Sequence, residues 1–512
     1  MKSTHLSLIA GAVALAAITG FATVTAPDGP AAPEAKAAAL LPVERSSLVC
    51  PAPSGSDLAK TRYTAFTPAG EGGDGEAAAE LRPALPVPDD EDMTDPKKAK
   101  KAEEAAAKAR QKAEKPLLAV KEPGTPVVAE ADGSAAPALV GTATGRLAPG
   151  WSAQQTTEVS AGGARGLLGV SCTAPDTDFW FPGTSTAKSR QEYVHLTNPD
   201  DTAAVADIEL FGPEGVVKSE VGDGITVPGR SSVALLMSTL TDEAVDRLTA
   251  HVTTRSGRVG AVVMSADDTA GSDWITASQD PSGTLVMPGI PADATAVQLI
   301  AFAPGEDDAD VKVQLLGKNT AFSPAGNATL HIKSGMTAAA DLKDVTRGEP
   351  GSLRLVPVEK DRATPIVAAL RVVRGSGDKQ EVAYIPATGP VGARASVTDN
   401  QTKGSTLSLT APGAEAEVKV TASAGSGGGE PSVETYTVKA GTTLAVTPKA
   451  PQGLKGTYAL TVETTSGGPV HASRSLVRTG GGVQMFTVQT LPDDRGTVAV
   501  PSARQDLSVL DD

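Results

Sequence analysis

Residues 225–235 read Ile-Thr-Val-Pro-Gly-Arg-Ser-Ser-Val-Ala-Leu, an apolar-alternating run, a Pro-Gly break and a second alternating run. The pattern returns at Leu330-His-Ile-Lys-Ser-Gly335-Met-Thr-Ala338 and at Tyr436-Thr-Val-Lys-Ala-Gly441-Thr-Thr-Leu444. Gly229, Gly335 and Gly441 stand 106 residues apart both times. Alternation with period two puts successive side chains on opposite faces of a strand, and glycine accepts the positive φ of a tight turn. The expectation is a strand, a hairpin turn at each glycine and another strand, repeated with the period of one domain.

The flanks keep the rhythm. Short alternating runs such as Tyr193-Val-His-Leu, 205–211, 259–264, 297–303 and 365–373 are broken by Gly, Pro, Asp and Asn every eight to fifteen residues, the signature of all-β architecture. A second motif, an apolar run closed by proline, recurs at Leu48-Val-Cys-Pro51, Phe179-Trp-Phe-Pro182, Leu285-Val-Met-Pro288, Ala383-Tyr-Ile-Pro386 and Val498-Ala-Val-Pro501. It predicts equivalent buried residues at Cys50, Phe181, Met287 and Ile385. Seven or so strands per period match immunoglobulin- or fibronectin-like β-sandwiches. A propeller-like closed β array is the alternative, disfavoured because a blade needs only four strands.

The resulting division is an N-terminal hydrophobic segment (1–27), an Ala/Pro tether (28–47), a degenerate first sandwich (48–175), three further sandwiches (176–284, 285–382, 383–501) and a C-terminal tail (502–512). The first unit is degenerate because 69–136 reads as a low-complexity insertion, with Asp89-Asp-Glu-Asp92 and a Lys/Ala/Glu tract from Lys97 to Lys115. The tract has no apolar face, so it is a solvated helix or a disordered spacer. Asp95-Pro96 is the pattern of a helix start.

The N-terminus carries an address. Lys2 precedes an uncharged run from Leu6 to Val24, with Val24-Thr25-Ala26 as a cleavage site. This is an export signal, or, uncleaved, a membrane anchor with the body outside. The chain holds two cysteines, Cys50 and Cys172. In an exported protein such a pair forms one disulfide, with two buried free thiols as the alternative. A bridge would close a loop of about 120 residues, for roughly 4–5 kcal/mol in the chain-entropy model. The net charge of −15 argues against nucleic acid, whose phosphates would go unneutralised.

The residue types needed for chemistry are not gathered. The five histidines, His5, His195, His251, His331 and His471, are scattered without metal-ligand spacing. No nucleophile elbow, phosphate loop or Cys-x-x-Cys is present in the sequence. The acidic run Gly305-Glu-Asp-Asp-Ala-Asp310 does not match a calcium loop and reads as a solvated turn. No catalytic residue, metal ligand or cofactor is therefore assigned. Aromatic residues are 3% of the chain; the knot Asp178-Phe-Trp-Phe181 either plugs a junction or, with Trp180 beside Trp151 or Trp274, forms a sugar-stacking platform.

Leu48-Val-Cys-Pro51, Cys172-Thr-Ala-Pro175, Phe179-Trp-Phe-Pro-Gly183 and Leu196-Thr-Asn-Pro199 give the chain a resemblance to an exported actinobacterial family known only as a domain of unknown function. The resemblance covers roughly 45–505 outside the charged insertion and implies export. It carries no catalytic residues. The sequence thus points to a non-enzymatic, exported or envelope-anchored scaffold or adhesion protein, acting by multivalent weak contact along an extended array. Two other classes are an envelope glycan-processing enzyme with its site between units and a ligand-binding accessory subunit. The partner is unknown; an envelope glycan or protein is the expected type.

Overall fold

The computed structural model describes residues 38–70, 76–87 and 96–501. The N-terminal hydrophobic stretch expected to be an export signal or anchor, most of the stretch read as tether and the stretch read as C-terminal tail lie outside the described residues. Residues 42–497 form one compact unit, and it is built from four β-sandwiches.

Each sandwich has the same strand order. In the second, one sheet runs Asp178–Thr184, Leu248–Ser256, Ala204–Gly212 and Gly215–Val217, with Ile225–Val227 also paired to Ala204–Gly212; the other runs Ser232–Leu236, Arg190–Thr197, Gly260–Asp267 and Gly271–Ile275. All pairs are antiparallel. The chain alternates between sheets, so consecutive strands do not form the single meander of a propeller blade. The opening strand lies at one edge of the first sheet and the closing strand at one edge of the second. The two inner rows enclose a core of Phe181, Val194, Leu196, Ile208, Leu210, Val252 and Val263. Tandem sandwiches are therefore the architecture.

The repeated turn does something other than expected. Ile225–Val227 and Ser232–Leu236 belong to different sheets, as do Thr329–Ile332 and Thr337–Lys343, and Ser432–Val438 and Thr442–Val446. The turn is an arch across the core, not a hairpin. Its left-handed position is held by Gly335 (φ 67°), Gly441 (φ 69°) and, in the second sandwich, Arg230 (φ 57°). All three donate their backbone N–H to the strand-end carbonyl region of the same sandwich, at Ala303, Ala411 and Asp200 respectively. Arg230, not Gly229, is the equivalent residue. Gly229 is needed for another reason: a Cβ there would overlap the Asp201 carbonyl.

The apolar-proline motif divides in the same way. Cys50, Phe181 and Met287 lie on opening strands and are buried in three successive cores. Ile385 does not join them. Glu381–Pro386 pairs with Val367–Arg374 and closes the third sandwich, so a boundary at 382/383 cuts a strand. The fourth opening strand is Ala395–Asn400, and Val397 fills the slot. The ladder shifts after Pro182, Met287 and Val397, around Gly183, Gly289 and Asp399, all at positive φ. A β-bulge with a left-handed residue is the conserved geometry within the chain; proline is incidental to it. Val498–Val500 belongs instead to the strand Thr497–Val500, which pairs with Ala39–Pro42. The strands Ala39–Pro42 and Arg45–Cys50 also occupy the end of the stretch read as tether.

The first sandwich is more complete than its sequence suggests. Ala78–Pro83, Leu118–Val120 and Val127–Asp132 are regular strands of its two sheets, although they fall inside 69–136. The extra material narrows to the connection between Pro83 and Leu118, which carries the helix Pro96–Ala113. Buried Ala79, Leu81, Leu118 and Val120 show why the strands form there: their small apolar residues alternate in phase with the core.

The four sandwiches close on one another. The closing strands Gly166–Ser171, Gly271–Ile275, Glu381–Pro386 and Val483–Thr490 pack first on second, second on third, third on fourth and fourth on first. The cores run across these seams. Phe486 and Val488 of the fourth sandwich lie in the third core, and Val373, Val382 and Tyr384 of the third lie in the second. Leu168 and Val170 of the first pack with Val262 and Trp274 of the second, and Leu167 with Leu476 and Met485 of the fourth. The arrangement is a ring, not an extended array. Burying each large apolar side chain is worth about 1.5–3 kcal/mol, so every seam contributes to stability.

Candidate functional site

Charged side chains cluster where the closing strands meet. Asp273, on the second closing strand, is buried. Its Oδ1 accepts from the Gly169 N–H at 3.1 Å and from the Thr487 hydroxyl at 3.1 Å. Thr487 Oγ1 in turn accepts from Gln489 Nε2 at 3.1 Å. Three closing strands are thereby tied to one carboxyl group. A Cβ on Gly169 would overlap Gln489 and Thr487, so this approach requires glycine. Burial pushes the Asp273 carboxyl well above the usual range, against the pull of those donors. Glu381, on the third closing strand, is buried beside Arg165, whose Nη2 lies 3.2 Å from Oε1. Burial lifts Glu381 to about 7, with Arg165 opposing. Arg165 also donates to the Asp378 and Gln380 carbonyls at 3.0 and 2.7 Å, stapling the first sandwich to the third.

A second network fastens the second sandwich to the third. The Arg190 guanidinium pairs with Glu192 and donates to the Gly183 carbonyl at 2.7 Å and the Tyr384 hydroxyl at 3.1 Å. Glu192 also accepts from the Ser185 N–H and from Ser265 Oγ, at 2.7 and 2.8 Å. A buried pair with this many additional partners is held in one geometry. Arg371 and Asp267 add an ion pair at 2.6 Å on the same seam. A third cluster gathers Arg62, Arg474 and Arg478 around Asp399 on the seam between the first and fourth sandwiches.

The tryptophans do not assemble into a platform. Trp151 belongs to the first core, Trp274 to the packing between the first and second sandwiches, and Trp180 to a cluster with Phe302 and Val367 between the second and third. All three are buried. Trp180 stacks on His251 with ring centroids 3.6 Å apart. Its aromatic body fills a junction, which is the plug alternative.

The histidines have separate environments. His251 contacts Asp178 and Glu209, His331 contacts Asp310, and His471 contacts the Thr388 carbonyl. His195 is different. It is buried edge-on to Trp274, neither ring nitrogen has a partner among the described residues, and burial pushes it down to about 4. Cys50 and Cys172 are joined in a disulfide, with Cα atoms 4.5 Å apart, in the first core. It ties the opening strand to the residue just past the closing one. Among the described residues, no group of three His, Cys, Asp or Glu is placed to hold a metal ion.

The buried ionisable groups were not foreseen. A signal exists for them: Arg190-Gln-Glu192, Ser272-Asp273 and Glu381 place charge at strand positions that alternate in phase with apolar core residues. A charge on that row must be paired or neutralised. What the clusters do chemically is join strands from different sandwiches.

No curated protein matches the chain by sequence. A family of unknown function, DUF5719, matches residues 127–449, from the first sandwich into the fourth and across all of the second and third. With well over half of its length so matched, the chain belongs to the DUF5719 family of unknown function.

Proposed function

We propose that the protein is a non-enzymatic structural module of the cell envelope or extracellular space, a scaffold or adhesion body exported by its N-terminal segment. The observation that carries the reading is the sharing of apolar packing across every seam, with buried charged groups joining the second sandwich to the third and the first to the fourth. Four sandwiches with common cores move as one body, so surface features on different sandwiches are presented at fixed separation. That suits a rigid docking or spacer element better than flexible multivalency, which needs linkers between its modules. The disulfide supports the compartment, since such crosslinks persist in oxidising surroundings. Among the described residues no helix is long and apolar enough to cross a membrane, and retention at a membrane would rest on Leu6–Val24. Fractionation of native cells, with N-terminal sequencing and thiol alkylation without reductant, tests the reading. The expected result is protein in the envelope or medium with Cys50 and Cys172 unreactive. Recovery from the cytosol with both thiols alkylated would overturn it.

A second reading, a ligand-binding accessory subunit, is favoured by the arginine cluster on the seam between the first and fourth sandwiches.

A further inference from the structure

We propose that the seam between the first and fourth sandwiches binds a tetrahedral oxyanion, a phosphate group, among Arg62, Arg474 and Arg478. Arg62 comes from Ala59–Phe66 of the first sandwich; Arg474 and Arg478 lie on one row of His471–Gly480 in the fourth. Asp399 sits between them on the bulge of the fourth opening strand. Its Oδ2 accepts from Arg478 at 2.8 Å, its Oδ1 faces Arg62 at 3.5 Å, and its backbone carbonyl accepts from Arg474 at 3.4 Å. Glu130 pairs with Arg62 from the solvent side at 2.8 Å. The Gln401 carboxamide, with its oxygen turned inward, accepts from Arg62 and Arg478 at 3.0 and 3.1 Å.

Three guanidiniums therefore face two carboxylates, and the donors outnumber the acceptors. Arg474 is fully buried, and its Nε and Nη2 have no partner among the described residues. The Arg478 Nε and the Tyr458 hydroxyl are also buried and unpartnered. An unpaired buried guanidinium costs several kcal/mol in general, so such donors are retained where an acceptor arrives. Forked guanidiniums converging from two sandwiches match the several oxygens of a phosphate. The side chains of Arg62 and Arg478 are 27% and 17% exposed, which leaves an approach from solvent. Because the arginines come from both sides of the joint, the anion would also clasp the ring at its closure.

This deepens the accessory-subunit reading, but its test uses purified protein and is independent of the fractionation. Thermal unfolding and calorimetric titration of the full chain with inorganic phosphate, against sodium chloride at matched ionic strength, give the primary readout. The expected result is a saturable rise in Tm with phosphate alone and an affinity loss of about tenfold or more in Arg62→Gln/Arg478→Gln. Arg478→Lys, which keeps the charge but not the fork, serves if the double variant fails to fold, and must also weaken binding. Dimethyl phosphate separates the sources: competition points to a phosphodiester polymer, and its failure beside working phosphate points to free or terminal phosphate. An equal response to chloride, or phosphate binding unchanged in the variants (an adventitious ion only), would overturn the proposal.

Discussion

The hydroxyl of Thr487 donates to the buried carboxyl of Asp273 at 3.1 Å, joining the fourth sandwich to the second across the centre of the ring. Neither residue's own sandwich needs this bond; only the closed ring does. Thr487→Val keeps shape and removes the hydroxyl, leaving the Asp273 carboxyl and the Gln489 Nε2 donor each short of one partner. The expected loss is about 1–3 kcal/mol of unfolding free energy, read from urea denaturation. A change within error would mean the contact contributes nothing to closure.

Glu381 gives the ring a pH dependence. Its folded pKa, about 7, is raised above the ordinary carboxyl value by burial. A raised acid binds its proton more tightly when folded, so its contribution is complete below the unfolded pKa. It is lost as pH rises from about 4.5 to about 7, by at most ~3 kcal/mol. Asp273, also raised, acts in the same direction. Glu381→Gln keeps the neutral shape, and the Tm of that variant should vary less with pH over this window than the parent's.

His195 works in the opposite sense. Burial lowers its folded value to about 4, so its contribution is present above the unfolded value near 6.5 and is lost as pH falls through 4. Replacing it with Phe, which keeps an aromatic ring against Trp274, should flatten the acid limb of the Tm profile between about pH 6.5 and 4. An acid limb unchanged in His195→Phe would assign that loss to other groups.

Much of this architecture was legible in the sequence because strand alternation is a local signal. The runs around Val194 and Leu299 read correctly since Val194, Leu196, Leu299 and Ala301 put apolar side chains on the inward row and each break carries Gly, Pro or Asn. The misreadings share a cause: the same local chemistry serves two structural positions. Tyr384-Ile-Pro386 resembles an opening strand but closes one, and Thr398-Asp399 performs the bulge that Pro-Gly performs elsewhere. Ring closure left no local trace. Gly169 against Thr487 and Phe486 in the third core are contacts between distant repeats, set by how sandwiches pack and not by any one strand's pattern. The disulfide was readable because cysteines are few; the site around Asp399 was not, because Arg62 lies out of phase with Tyr63 and Ala65 and reads as solvated, while Arg474 on the row of Ala472 and Leu476 gives no sign of which distant sandwich it meets.

Phe486 tests whether the sandwiches are separable. It lies on the fourth closing strand but is fully buried in the third core, with the Arg374 guanidinium 4.7 Å from its ring centroid. Phe486→Ala should cost about 3–5 kcal/mol. Its hydrogen-exchange footprint should fall on Leu285–Ile290 and Val367–Arg374 of the third sandwich as well as on its own strand. Loss of protection confined to 395–490 would show four independently stable domains in contact.

The disulfide should act locally. Cys50–Cys172 encloses a sequence separation of 122 residues, nearly all of the first sandwich. In the chain-entropy model a loop of that size contributes about 4–5 kcal/mol. The first sandwich carries the longest connection, the one with the helix Pro96–Ala113, and the bridge offsets the entropy of ordering it. Cys50→Ala/Cys172→Ala should therefore lower Tm, and limited proteolysis should cut between 45 and 173 before any other sandwich. Since the first and fourth sandwiches share the seam at Leu167, Leu476 and Met485, protection of Val483–Thr490 should fall next. Cleavage appearing first in the second or third sandwich would contradict this order and place the weak point of the ring elsewhere.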